Sequence, residues 1–285
     1  MKTLRVLLVC VALCVLAALG WRFIAPSPRE ALREPSRPAA PEAPPPKMTA
    51  SRPQPPAAPV AGTAAEARRS VEARVAEVPQ YAAVFASLGA AFPHVRDQLL
   101  DQWAARLAKS GVLASPDTLV WQAMRDVQQS QGLLARRAGD EALSAYFDAR
   151  LALLDAMAPS DPKLCADFLY GSADVSLDAF SATHRDLVAN LAQRQLAALT
   201  SGKDGKGDPV APTPADFDLV AAGLAAKGLG PDEIGVLLDG RMLDPPPSDT
   251  HLCDMGRIYL TVLRTLPAEA RLRIYGLAAE LLARS

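Results

Sequence analysis

A chain of 285 residues, half of them apolar, has room for one or two domains with a true core. A formal net charge of −1 excludes the global basic field that gathers nucleic acid, so none is expected as a partner. Aromatic residues make up only 5% while Ala and Leu abound, which disfavours sheets, because strands draw on aromatic and β-branched side chains.

Lys2 and Arg5 precede an apolar run from Val6 to Trp21, and Arg22 follows. The run is long for a signal-peptide core and short for a spanning helix. Trp21 at headgroup depth and a snorkelling Arg22 stretch the usable span. Residues 1–25 therefore read as a signal-anchor transmembrane helix, held in a bacterial inner membrane through residues 6–25. Two alternatives stay open: a signal peptide cleaved before Trp21, where Ala18 and Gly20 are small, and a buried soluble helix. Leu13 before Cys14 excludes a lipobox, so Cys10 and Cys14 read as apolar residues of the span. Positive charges flank both sides, with Arg22, Arg29, Arg33 and Arg37 opposing Lys2 and Arg5. A periplasmic body is expected from the very short N-terminal tail and from the paired cysteines downstream.

Residues 26–62 are Pro, Ala and charge, with Pro44, Pro45 and Pro46 in a row and Pro53, Pro55, Pro56 and Pro59 close behind. Proline removes donors and fixes φ, so this stretch prefers extended polyproline II and forms no core. As a tether it reaches on the order of 100 Å.

The body, residues 63–285, is expected to be all-α. Ala67, Val71 and Val75 lie at helical spacing before Pro79, and Tyr81, Val84, Phe85 and Leu88 after it. Phe92-Pro93 opens a helix with Leu99, Leu100, Trp103 and Leu107 inward. Ser115-Pro116-Asp117 is a strong start signal, with Ser as cap, Pro at the first helical position and Asp at the positive dipole end. Gly139-Asp140 begins a helix with Leu143, Phe147, Leu151 and Leu154 on one face. Phe180-Ser181-Ala182 is expected to launch a helix running to Ser201-Gly202. Thr213-Pro214, Pro231-Asp232-Glu233 and Leu266-Pro267 start the rest, and Leu272, Ile274, Tyr275, Leu277, Leu281 and Leu282 form the apolar side of the last helix. Alternating β-branched runs are missing.

One motif occurs twice. Pro159-Ser160-Asp161 leads to Leu164-Cys165, and Pro247-Ser248-Asp249 leads to Leu252-Cys253, each after a Leu-Leu-Asp run. Phe92-Pro93, Phe180-Ser181 and Leu266-Pro267 recur at a similar interval. The pattern predicts repeat-like units at about 92–179 and 180–285, two similar bundles with the second cut short. Cys165 and Cys253 then hold equivalent places, and in an oxidising compartment a disulfide between them is the first reading. Two separate buried thiols and a reactive redox pair are the alternatives; neither cysteine belongs to a C-x-x-C.

No constellation of catalytic, cofactor-binding or metal-ligating residues emerges. His94, His184 and His251 are scattered, and no H-E-x-x-H is present. Thr183-His184-Arg185-Asp186 reads as the solvated first turns of a helix. The run Lys203 to Pro209 fails as a phosphate loop, and as a calcium loop it has Pro209 in the glycine position and Ala215 in place of the bidentate Glu. The Pro-rich stretch Asp244 to Pro247 is the main difference between the two motif copies.

The expected function is a non-catalytic binding, adaptor or chaperone-like accessory whose partner is another envelope protein. The layout is similar to that of membrane-anchored periplasmic foldases for secreted enzymes, without their sequence signature. The alternatives are a cell-wall or envelope hydrolase whose site assembles only in the fold, and a thiol redox protein using Cys165 and Cys253.

Overall fold

The structure is a computed structural model that describes residues 63–171, 175–205, 209–241 and 243–284. The expected anchor at 1–25 and linker at 26–62 lie outside them. Among the described residues all regular structure is helical, with twelve α-helices, one 3₁₀ segment and no strand. In order these are α1 (Ala64–Ala76), α2 (Pro79–Ala91), α3 (Pro93–Ser110), α4 (Pro116–Gln131), the 3₁₀ segment (Gly132–Arg137), α5 (Asp140–Met157), α6 (Pro162–Leu169), α7 (Val175–Thr183), α8 (Arg185–Asp204), α9 (Pro214–Ala226), α10 (Pro231–Asp239), α11 (Asp249–Thr265) and α12 (Ala268–Arg284). No helix among the described residues is long and apolar enough to cross a membrane.

Local chemistry sets the starts. The Thr63 hydroxyl accepts from the Glu66 amide while the Glu66 carboxylate accepts from the Thr63 amide, closing a capping box on α1. Ser115 caps α4, with Pro116 at its first position and its hydroxyl accepting from the Thr118 amide at 2.9 Å. Thr213 and Asp216 do the same for α9. In the duplicated motif the cap shifts by one residue: Asp161 caps α6, whereas Ser248 caps α11.

One expected boundary is corrected. Phe180 does not launch a helix; it lies near the end of α7, and the chain breaks at His184 before α8. His184, at φ −130° and ψ 37°, has nearly the backbone shape of Phe92, at φ −139° and ψ 65°, which separates α2 from α3. In both cases a single non-helical residue turns one helix into the next. The His184 ring stacks on Phe180 at 4.1 Å between centroids and holds the corner.

Helix α5 is the axis of the body and packs against α6, α8, α11 and α12. The expected apolar face is buried, and so are Tyr146, Ala149, Leu153 and Met157 on its other sides. A helix apolar nearly all round belongs in a core. Phe147 stacks on Tyr275 of α12 at 4.3 Å, and Trp121 of α4 meets Phe168 of α6 edge-on at 5.9 Å.

The 3₁₀ segment lies between α8 and α12, and glycines make room for it. A Cβ on Gly202 of α8 would stand 1.8 Å from the Leu134 carbonyl oxygen, and one on Gly132 would stand 2.6 Å from the Ala283 Cβ. At Gly202 backbone meets backbone, which only glycine permits.

Candidate functional site

Arg–Asp forks tie helix starts to helices far along the chain. Asp117, in the first turn of α4, is 4% exposed and accepts from Arg185 at 3.2 and 2.9 Å and from the Tyr81 hydroxyl at 2.7 Å. Asp216, in the first turn of α9, is 3% exposed and accepts from Arg273 at 2.9 and 2.8 Å. Arg271 forks onto Asp140 in the first turn of α5 at 2.9 and 2.5 Å. Each carboxylate faces a positive helix end and a guanidinium together. The Arg273 guanidinium, aided by the Thr213 cap, holds the Asp216 carboxyl well below the usual carboxylate range. Arg271 likewise lowers the Asp140 carboxyl. Burial, then the Asp117 charge, pushes the Tyr81 hydroxyl far above its ordinary value.

Thr183 to Asp186 straddle the corner between α7 and α8 instead of filling the first turns of one helix; Thr183 and Asp186 are exposed, as the solvated reading expects, and His184 and Arg185 are partly buried. Arg185 is committed to a buried carboxylate, Asp186 accepts from Gln80 of α2 at 2.8 Å, and His184 Nδ1 lies 2.8 Å from the Thr183 hydroxyl and 3.0 Å from the Phe180 carbonyl. The three histidines remain apart. His251 Nε2 lies 2.5 Å from Glu233, joining the starts of α10 and α11, and the Gly230 amide, then His251, keeps the Glu233 carboxyl low. His94 lies in the first turn of α3. Among the described residues no group of three His, Cys, Asp or Glu could hold a metal ion.

Cys165 and Cys253 are bonded to each other, with a Cα–Cα distance of 5.5 Å. The bridge joins α6 to α11, and its residues are 0% and 1% exposed. Of the run Lys203 to Pro209, Lys203 donates to the Ala91 carbonyl at 3.1 Å and lies over the Phe92 ring; residues 206–208 are outside the described set.

The concave feature that sequence reading missed is a groove of about 360 Å³ between the end of the 3₁₀ segment, the connector 209–212 and one face of α12. Pro209, Val210, Ala211, Pro212, Leu272 and Leu277 supply apolar walls. Val210 is 70% exposed and Leu272 37%, so the core face expected for α12 was drawn too wide: its buried residues are Ala270, Ile274, Tyr275, Gly276 and Ala279. Five charged residues line the groove and every one has a partner. Arg136 pairs with Glu280 at 2.8 Å, and Glu280 also takes Arg284. Arg137 donates to the Gly205 carbonyl at 2.6 Å, and Arg273 holds Asp216 and reaches Glu269 at 3.8 Å. The lining contains no Ser, Thr, Cys, His, Lys or Tyr. Such a groove can bury an apolar segment within a polar rim. Its two carboxylates, Glu269 and Glu280, are its only side chains suited to acid–base or nucleophilic work, and both lie beside arginines. A sequence signal existed in the i, i+3, i+4 spacing of Glu269, Leu272, Arg273, Gly276 and Glu280, which marks one mixed face of α12. No protein-family model, no curated protein and no solved structure matches the chain.

Proposed function

We propose that this chain is a membrane-anchored periplasmic protein whose helical body binds another envelope protein without acting on it chemically, as an adaptor or chaperone-like accessory. The groove carries this reading: its walls are apolar, each of its charged residues already has a partner, and no hydroxyl, thiol or imidazole lines it. Apolar walls with a satisfied polar rim are the make-up of a protein contact surface.

Residues 1–25 would anchor the chain and residues 26–62 would carry the body clear of the bilayer. A bridge between Cys165 and Cys253 suits an oxidising compartment, in keeping with a body outside the cytoplasm. The body reads as two repeat-like units, about 92–179 and 180–285. In support, Val112 and Val210 are both strongly exposed, and each stands three residues before a Ser-Pro or Thr-Pro helix start with a buried, Arg-forked Asp in its first turn.

The test is in-cell photo-crosslinking from position 210, followed by mass spectrometry of the captured species. One dominant envelope protein is expected; it should persist when a neutral anchor replaces residues 1–25 and disappear in a Leu272→Glu variant. Failure to capture a specific protein under several growth conditions would overturn the binding reading, and cell-wall hydrolysis assays on the same protein would then take up the enzymatic alternative.

A further inference from the structure

We infer that the Cys165–Cys253 bridge is a one-way latch: α6 docks stably on α11 only once the two thiols are oxidised, and docking then seals the bond away from reductants. The inference holds whichever compartment contains the body, and independently of the groove.

Three observations carry it. Helix α6 has eight residues, too few to be stable by itself, so its structure depends on what it packs against. Its apolar side, Leu164, Cys165 and Phe168, is buried, and Leu169 fills the notch left by Gly256 on α11, where a Cβ would stand 2.3 Å from the leucine Cδ1. Second, the partner helix is remote in sequence. The two cysteines are 88 residues apart, so the bridge removes loop-closure entropy from the unfolded chain. In the folded body α5, just before α6, is already held on α11 by the Asp155–Arg257 ion pair at 2.7 Å, which leaves α6 as the element that the bond alone secures. Neighbouring contacts are secured differently: α4 to α8, α9 to α12 and α5 to α12 are joined by Arg–Asp forks, and α6 to α11 by a covalent bond.

Third, both cysteines are buried in the docked state. A thiolate must approach a sulfur to break a disulfide, so α6 has to leave α11 before reduction can begin. Closing the latch transfers two electrons from the two thiols to a disulfide-bearing oxidant. Their two protons and two electrons leave with that oxidant as its own two thiols. The reverse step consumes a dithiol, which departs as its disulfide.

The experiment is amide hydrogen exchange with mass spectrometry on the full-length chain in three forms: bridged, refolded under dithiothreitol, and the double variant Cys165→Ala/Cys253→Ala. In both bridge-free forms, exchange across residues 162–169 should rise at least tenfold, while α1 to α3 keep the rates of the bridged form. The native bridge should resist dithiothreitol until urea is added. Unchanged protection at 162–169 would overturn the latch by showing that α6 docks unaided. Loss of protection throughout the body would overturn it by showing that the bond holds the entire fold, and rapid reduction of the native bridge would refute the sealing.

Discussion

Replacing Gly202 by alanine is a sharp test of how the body is built, because two effects of known size oppose each other. Within a helix, alanine is favoured over glycine by up to about 1 kcal/mol. Against this, the new Cβ would lie 1.8 Å from the Leu134 carbonyl oxygen and 2.6 Å from its carbonyl carbon, whereas ordinary contact begins at 3.4 Å. The obstacle is backbone, so no side-chain rotation relieves it, and α8 or the 3₁₀ segment must shift by about 1.5 Å. Overpacking of this kind costs about 1–3 kcal/mol. Because the obstacle is backbone, the cost falls at the upper end of that range. The clash wins, and we expect a net loss of about 2 kcal/mol, read as a fall of roughly 6 °C in Tm for a body of this size. Urea unfolding followed by far-UV circular dichroism measures it. Gly139→Ala is the matched control: its Cβ would meet only the Ser201 hydroxyl, at 3.9 Å, so stability should change by less than about 1 kcal/mol. A Gly202→Ala protein no less stable than the Gly139→Ala protein would refute the close approach.

The remaining predictions concern the forks and the groove. Arg185→Gln leaves the buried Asp117 carboxylate without its main partner and should cost about 3 kcal/mol in urea unfolding. Arg185→Lys should recover only part of that loss, since an ammonium cannot reproduce the two-pronged contact. Asp216 and Asp140 have carboxyls held low by Arg273 and Arg271, so their stabilisation is complete above the unfolded carboxyl range near about pH 4 and is lost as pH falls through the folded values. The urea midpoint should therefore drop between pH 5 and pH 3, and Arg273→Gln, weaker at pH 7, should show a shallower drop; parallel pH profiles would contradict the assignment. Leu272→Glu should abolish partner capture at position 210 while leaving the unfolding midpoint within about 0.5 kcal/mol, because Leu272 is a surface residue. A large loss of stability would show instead that Leu272 supports the core.

Much of the helical layout was legible because it is encoded locally. Ser115-Pro116, Thr213-Pro214 and Pro231 announce their helices within one turn, and the recurrence of a seven-residue motif singled out the two cysteines that the structure bonds. What stayed hidden depends on partners distant in sequence. Asp117 reads as a dipole residue until Arg185, 68 positions later, is seen to fork onto it. The corner at His184 is not marked by Pro or Gly, so periodicity runs straight across it. Leu272 and Leu281 fit an apolar stripe by spacing, yet α12 meets the 3₁₀ segment through small residues, which rotates its buried face toward Gly276 and Ala279. The groove needs the connector 209–212 beside α12, and no local pattern relates the two.

The bridge also divides the described chain into a covalent ring, from Cys165 to Cys253, and the residues outside it. The connector 209–213 and the Pro-rich stretch 243–248, both largely exposed, lie inside that ring. A protease cutting either one opens the ring and releases no fragment, so the nicked protein keeps its mass until it is reduced. The exposed loop at Val112 lies outside the ring. A single cut there leaves α1 to α3 attached by packing and hydrogen bonds, such as those from Gln80 to Asp186 and from the Tyr81 hydroxyl to Asp117. Damage at these loops thus has unequal consequences: within the ring it is borne in place, and at Val112 it turns one chain into a two-part assembly.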